Sequence, residues 1–229
     1  MIHYDILIPA YNAEKTLPVL LKQIQKLTYT PKNIFLVDDN SIDSTAVIAA
    51  RFNCIVAVNK RNRGKGYTLR RGFEKFLNES KSGCLVCIDS DLQHPIDKIP
   101  EFLELISNKD ISIVIGNRDK SIKKMPFLRI LSNKITSFII SKLTGKKILD
   151  SQCGFRAIKR SVLQNITLTE DGFQMESEFI LRANDLNYTM QFVNIPTIYN
   201  DQTSYIHHVR DTLKFIKLVI NEWSGKNAL

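Results

Sequence analysis

Three oxygen-bearing side chains stand at alternate positions in Asp89-Ser90-Asp91-Leu92-Gln93-His94-Pro95, directly after the apolar run Cys84–Ile88. If that run is a strand and the segment stays extended, Asp89, Asp91 and Gln93 project to one side. Oxygen donors of this kind suit a hard divalent cation, Mg²⁺ or Mn²⁺, that completes its shell with substrate phosphates. A D-x-D pair alone is weak evidence, because two acids in a surface turn arise often by chance. Its weight depends on what stands beside it.

Three more segments end strand-like runs. Pro9-Ala10-Tyr11-Asn12-Ala13-Glu14 lacks the glycines of a dinucleotide fingerprint. Tyr11 offers a face for a base, and Asn12 or Glu14 reaches for ribose or base edges; the plainer alternative is Asn12 as a helix cap and Tyr11 as packing. Val37-Asp38-Asp39-Asn40-Ser41 places two carboxylates where they accept hydrogen bonds from a ribose hydroxyl or a base N–H, or simply cap a helix. Asn62-Arg63-Gly64-Lys65-Gly66 is a glycine-containing turn into a helix. It lacks the spacing of a Walker A loop, so a tight turn suffices to explain it.

Short β-rich runs alternate with helical periodicity through the first half. Ile2–Ile8, Asn33–Val37, Cys54–Val58, Gly83–Ile88 and Ile111–Gly116 read as strands. Between them lie helical patterns over Glu14–Leu27, from a Ser41 cap to about Phe52, over Lys65–Leu77 and from Pro95 to Ile106. Strands joined through helices imply parallel pairing and right-handed crossovers, hence an α/β sheet with helices on both faces. The loops after the strands then share the C-terminal edge, where such sheets bind ligands.

After Arg118 the alternation stops. Pro126–Leu143 is amphipathic, with Phe127, Leu128, Ile130, Leu131, Ile135, Phe138, Ile139 and Leu143 largely on one side. An irregular stretch, Asp150–Arg156, precedes a helix at about Gln174–Asn184, a strand Met190–Ile195 and an amphipathic tail, Asp211–Trp223. The expected organisation is one domain over residues 1–205, including the helix at about 126–143, and a C-terminal amphipathic helix over 206–229.

The chain has 229 residues, 44% of them hydrophobic, enough for a full core. No run approaches 18 uninterrupted apolar residues, and the first strand-like run starts too early for a signal segment, so a cytoplasmic location is expected. Cys84 and Cys87 lie three apart on a strand and so face opposite ways, which makes them buried thiols rather than a zinc pair. The net charge of +9 is concentrated: from Arg118 to Lys147 nine basic residues face a single acid, Asp119. Nucleic acid, an anionic membrane or phosphorylated substrates each account for such a field. The basic residues alternate with Ile and Leu rather than stacking aromatics, and no nucleic-acid module is present, so nucleic acid is set aside.

Taken together and in this order, the motifs resemble the family 2 glycosyltransferases of GT-A fold. The form Asp89-Ser90-Asp91-Leu92-Gln93-His94-Pro95 and the later Asp150-Ser151-Gln152-Cys153-Gly154-Phe155-Arg156 are most similar to the dolichyl-phosphate mannosyltransferase, or polyprenyl-phosphate, branch. The resemblance implies a mostly parallel Rossmann-like sheet with amphipathic interface helices in the C-terminal half. It implies a nucleotide-sugar donor, GDP- or UDP-linked, held by Pro9, Tyr11, Glu14, Val37 and Asp39 together with Asp89 and Ser90. It implies Mg²⁺ or Mn²⁺ at Asp89, Asp91 and Gln93, and phosphate contacts from Arg118 and Arg129. Where the branch carries R-x-x-G-x-S-K, this chain reads Tyr199-Asn200-Asp201-Gln202-Thr203-Ser204-Tyr205, with Arg210 further on.

The reaction so implied is an inverting transfer of a hexose to a polyprenyl phosphate. A phosphate with a second pKa of about 6 is already a nucleophile at neutral pH, whereas a saccharide hydroxyl, the alternative acceptor, needs a carboxylate base. Asp150, Glu176 and Glu178 are the candidates near the acceptor, Asp150 foremost, and His94 shapes its loop. A basic amphipathic helix fits peripheral attachment to the inner face of the cell membrane. Packing of its apolar face on the domain, or a dimer contact, is the competing explanation, and a non-catalytic basic binding protein is the alternative of another class.

Overall fold

The computed structural model describes residues 2–119, 127–198 and 214–220, with only the backbone of 127–129. Seven strands form one sheet in the order β3-β2-β1-β4-β6-β5-β7. They are β1 (Tyr4–Ala10), β2 (Ile34–Asp38), β3 (Ile55–Val58), β4 (Cys84–Cys87), β5 (Ile113–Arg118), β6 (Arg156–Lys159) and β7 (Met190–Ile195). β1 pairs in parallel with β2 and β4, β2 with β3, and β5 with β7. The helices are α1 (Leu17–Gln25), α2 (Thr45–Arg51), α3 (Lys65–Glu79), α4 (Ile99–Ser107), α5 (Phe127–Thr144), α6 (Arg160–Asn165) and α7 (Met175–Asp185).

The parallel part follows from the sequence. β1 and β4 are buried along their whole length, as strands covered on both faces must be, and they read as near-continuous apolar runs. α1 buries Leu17, Leu20, Leu21 and Ile24, the stripe that a 3.6-residue period selects. Phe35, Phe76, Phe102, Phe155 and Phe179 are the largest fully buried side chains. Each such side chain contributes roughly 1.5–3 kcal/mol relative to exposure.

Three local expectations are corrected. Ser41 does not cap α2, which begins at Thr45; its hydroxyl donates to Asp38 and accepts from the Asn12 N–H, while Asp43 accepts from the Thr45 N–H and hydroxyl at the helix start. Pro95 opens a 3₁₀ turn, Ile96–Lys98, before α4 proper. The irregular stretch expected over Asp150–Arg156 runs at its end into a strand: β6 is inserted antiparallel between β4 and β5, in register Cys87↔Arg156 and Ile115↔Arg156. That reversal has a functional consequence. An antiparallel strand starts at the edge where its parallel neighbours end, so Asp150–Phe155 is delivered to the same edge as the loops after β4 and β5.

The expected stretches at Tyr199–Tyr205, Arg210 and the ends of the tail helix lie outside the described residues. Residues 214–220 are helical, with Phe215 and Leu218 buried and Ile216 and Ile220 exposed.

Candidate active site

The loops after β1 and β2 clamp each other. The Asn12 N–H donates to Ser41 Oγ, the Ala13 N–H to Thr45 Oγ1 and the Glu14 N–H to Asp43, while Glu14 Oε2 accepts from the Ser44 N–H at 3.2 Å. Asn12 takes φ 49, a left-handed conformation that asparagine tolerates. Pro9 and Val37 are buried partners in the β1–β2 register, and Tyr11 is half-buried beside them. Asp39 is buried. Its Oδ1 accepts from Asn59 Nδ2 at 2.7 Å and the Arg63 N–H at 2.9 Å, and its Oδ2 from the Gly64 N–H at 2.7 Å. Asp39 thus builds the turn into α3, where Gly64 takes φ 94.

The Asp89–Gln93 segment is not a continuation of the strand. β4 stops at Cys87, residues 90–91 turn, and Leu92 takes φ 61. A left-handed leucine costs energy and persists only where its surroundings impose it. The alternation expected of Asp89, Asp91 and Gln93 is therefore broken: Asp91 Oδ1 accepts from the Gln93 N–H at 3.0 Å, closing the turn. Ser90 and Asp91 stay half-buried at its rim.

Asp89 sits in a cluster of charges. Lys65, the first residue of α3, places its Nζ 2.8 Å from both carboxylate oxygens of Asp89 and 2.8 Å from Glu176 Oε1 at the start of α7. His94 Nδ1 accepts from the Asp89 N–H, and its Nε2 lies 3.7 Å from Asp89 Oδ2. The ring stacks on Phe155, which stacks on Phe102. Burial pushes the Asp89 carboxyl up, but Lys65, His94 and Arg118 outweigh it and bring it to about 2. Burial alone lowers the Lys65 ammonium; Asp89 and Glu176 reverse that and hold it charged. Burial keeps His94 below its ordinary value against the pull of Asp89 and Asp91.

The third strand end carries Arg118. Its Nε and Nη2 bind Asp150 Oδ2 and Oδ1 at 2.7 and 2.9 Å, a bidentate pair. Asp150 is fully buried and also accepts from Asn133 Nδ2 of α5 and the Gln152 N–H. A carboxylate so enclosed orients Arg118; it is poorly placed to take a proton from an acceptor. The arginine is held charged by Asp150 despite its burial. Arg129 lies in the first turn of α5, and its side chain is outside the described residues. Glu178 is buried and binds the backbone N–H groups of Thr169 and Glu170, so it shapes a loop rather than meeting solvent.

Lys65 and Gly154 complete the cluster and have no role in the sequence reading, whereas Glu176, a candidate near the acceptor, pairs with Lys65. A Cβ on Gly154 would lie 2.7 Å from Asp89 Oδ2 and 2.9 Å from Lys65 Nζ, so any larger residue there would push the ion pair aside. The signal was present: a lysine opening a helix at the ligand edge, and a glycine just before a strand that starts there.

The donor set tests the expected metal. Asp91 and Gln93 are hard oxygen donors at the rim, which fits a cation that keeps water and diphosphate oxygens. Asp89 already faces a buried ammonium. Among the described residues no group of three His, Cys, Asp or Glu side chains is arranged to hold a metal ion.

α5 divides its surface unexpectedly. Its inward face includes Ile130, Asn133, Thr136, Ser137 and Ile140, while Leu131, Ile135 and Phe138 stand 42%, 49% and 62% exposed along one stripe. Ile139 and Leu143, assigned with them on the helical pattern, pack partly against the core. The stripe ends at a shallow basic concavity formed by Phe138, Ser141, Lys142, Gly145, Lys146 and Lys147.

The model of glycosyl transferase family 2 matches residues 5–167. The chain belongs to that family. It is a glycosyltransferase. The UDP-N-acetylglucosamine–dolichyl-phosphate N-acetylglucosaminyltransferase of Methanococcus voltae is 30% identical over 218 residues, covering 86% of each chain. The dolichol-phosphate mannosyltransferase of Pyrococcus furiosus is 29% identical over 193 residues, 78% of this chain and 52% of that protein. By their names both act on dolichyl phosphate, the branch that the motifs resemble. The glucosyl-3-phosphoglycerate synthase of Mycobacterium tuberculosis, solved with Mn²⁺ and UDP-glucose, shares the fold with a TM-score of 0.75 at 18% identity, over 95% of this chain and 79% of that one. The architecture is GT-A.

Proposed function

We propose that this glycosyltransferase moves a hexose from a GDP- or UDP-linked donor to a polyprenyl phosphate, with inversion, at the surface of a membrane. The observation that carries this reading is the Arg118–Asp150 pair. A fully buried carboxylate fixes an arginine at the end of β5, beside Asp89, leaving Arg118 Nη1 without a partner among the described residues. Arginine's rigid fork of donors suits a phosphate group. A phosphate acceptor needs no base, and none of Asp150, Glu176 and Glu178 is disposed to be one.

In this reading an acceptor phosphate oxygen forms a bond to the anomeric carbon while the bond to the donor diphosphate breaks, its electron pair leaving with the nucleoside diphosphate. Arg118, and Arg129 with it, hold the anionic acceptor against the anionic leaving group. The loops after β1 and β2, with Tyr11, Glu14 and Asp39, form the nucleotide side. Asp91 and Gln93 would hold Mg²⁺ or Mn²⁺, which supplies Lewis-acid neutralisation of the diphosphate.

The exposed stripe of α5 with Lys134, Lys142, Lys146 and Lys147 supports attachment to an anionic bilayer, each basic residue contributing on the order of 1 kcal/mol. No helix among the described residues is long and apolar enough to cross a membrane. Thermal shift with GDP- and UDP-sugars, with and without Mn²⁺, identifies the donor. That donor, radiolabelled in its sugar and given a short polyprenyl phosphate, should move label into the organic phase. Label passing only to added saccharides would assign the enzyme to glycan elongation instead.

A further inference from the structure

The turn Asn62–Gly66 opening α3 invites comparison with a phosphate cradle, since helix N-termini attract anions. The structure closes that use. The Tyr67 N–H donates to the Asp171 carbonyl, and a Cβ on Gly66 would lie 2.6 Å from the carbonyls of both Glu170 and Gly172. The loop is pinned there by Arg63 and Arg70, which both bind the Asp171 carboxylate, and by Glu178 from behind. The N-terminus of α3 is stoppered, and what it delivers to the site is the Lys65 side chain alone.

Lys65 lies between two carboxylates from distant parts of the chain, Asp89 after β4 and Glu176 on α7, with Gly154 pressed against the contact. Two carboxylates gathered around one point are what a divalent cation requires of a protein. Here a covalently tethered ammonium fills that role. A metal ion seeking Asp89 or Glu176 finds each already neutralised and meets the like charge of Lys65.

We infer that Lys65 is a resident counter-cation that prevents Asp89 and Glu176 from binding a divalent metal by themselves, so that metal is held only when a donor diphosphate adds its own oxygens. Lys65 is a positioning residue in this role: it fixes Asp89 beside Asp91 and enforces nucleotide-dependent metal binding. The inference rests on the reading of the site as one that uses a divalent metal.

The test is Mn²⁺ binding to the full chain, read from the electron paramagnetic resonance signal of the free ion. Without nucleotide the wild type should bind weakly, and GDP or UDP should tighten binding at least tenfold. Lys65→Met should bind Mn²⁺ alone at least tenfold more tightly than wild type, and adding Glu176→Gln to it should remove most of that gain. Lys65→Arg, which keeps the charge, should stay within about threefold of wild type. If Lys65→Met does not fold alone, Mn²⁺ should restore its circular-dichroism spectrum, and failure to do so overturns the inference. A folded Lys65→Met that binds Mn²⁺ no better than wild type also overturns it. So does a wild type that binds Mn²⁺ tightly without nucleotide and loses that binding on Asp89→Asn. No sugar transfer is read, so these results and those of the transfer assay can fail separately.

Discussion

The two strands that flank β1 in the sheet, β2 and β4, are each followed by a pair of acids, and the two pairs are used in opposite ways. After β2, Asp38 binds the N–H and hydroxyl of Ser41, and Asp39 binds Asn59 and the N–H groups of Arg63 and Gly64. Every one of those partners is neutral and belongs to an adjoining loop. After β4, Asp89 faces Lys65 and His94 with Arg118 nearby, and Asp91 lies on a turn that carries a left-handed leucine. The first pair builds the walls of the site and the second sets its electrostatics. Similar motifs at equivalent places diverge because of what the segment from β3 into α3 brings to each: Asn59 and the N–H groups of Arg63 and Gly64 to Asp39, the Lys65 ammonium to Asp89.

Removing one acid from each pair sharpens the contrast. Asp91→Ala should lower turnover by three orders of magnitude or more, with a thermal midpoint close to wild type, and Gln93→Ala should be milder because an amide is a weaker metal ligand. Asp39→Ala removes the acceptor of three donors, Asn59 Nδ2 and the N–H groups of Arg63 and Gly64, so a loss of roughly 1–3 kcal/mol and a midpoint lowered by several degrees are expected. A stable Asp39→Ala, or an unstable Asp91→Ala, would break the comparison.

The Arg118 site should combine both behaviours. Asp150→Asn leaves a largely buried guanidinium without its counter-charge, at a cost of about 3 kcal/mol. It should also slow transfer, and steady-state kinetics with calorimetry on one preparation separates the two effects. Gly154→Ala pushes on Asp89 and Lys65 without changing charge; about a tenfold loss in turnover is expected.

The smallest effects lie far from chemistry. Binding to anionic vesicles should fall severalfold between low and high salt, and Lys142→Glu combined with Lys146→Glu should weaken it further, as co-sedimentation shows. Cys84, Cys87 and Cys153 are held near 12, chiefly by burial, so thiolate is scarce at pH 8. A thiol reagent should reach them only on unfolding.

Much of this was legible in the chain. The period-2 and period-3.6 patterns placed β1 through β5 and their helices to within a few residues, most securely β1, β4, α1 and α4, which bury continuous apolar faces. β6 escaped because Arg156–Lys159 is four residues long with a charge at each end, and its pairing is set by distant neighbours. α5 misled for a related reason. Its inward face holds Asn133, Thr136 and Ser137, which bond to the 150–151 loop and to one another, while three large apolar residues face outward. A hydrophobic pattern identifies the helix but not which side is covered. Likewise Asp89, Asp91 and Gln93 were recognisable as a group, yet the turn at Leu92 and the approach of Lys65 depend on tertiary packing that spacing does not encode.

The most direct test of the phosphate-acceptor reading is a competition in one tube. The enzyme, its donor and Mn²⁺ are given equal amounts of a short polyprenyl phosphate, the same polyprenol without phosphate, and a free saccharide, and the products are assigned by mass spectrometry and ³¹P NMR. The expected product is a sugar–phosphate–polyprenol with the anomeric carbon inverted, absent when Arg118 is replaced by Ala and retained with Glu176→Gln. Transfer to either hydroxyl acceptor in preference to the phosphate, with Arg118 dispensable and Glu176 essential, would contradict it.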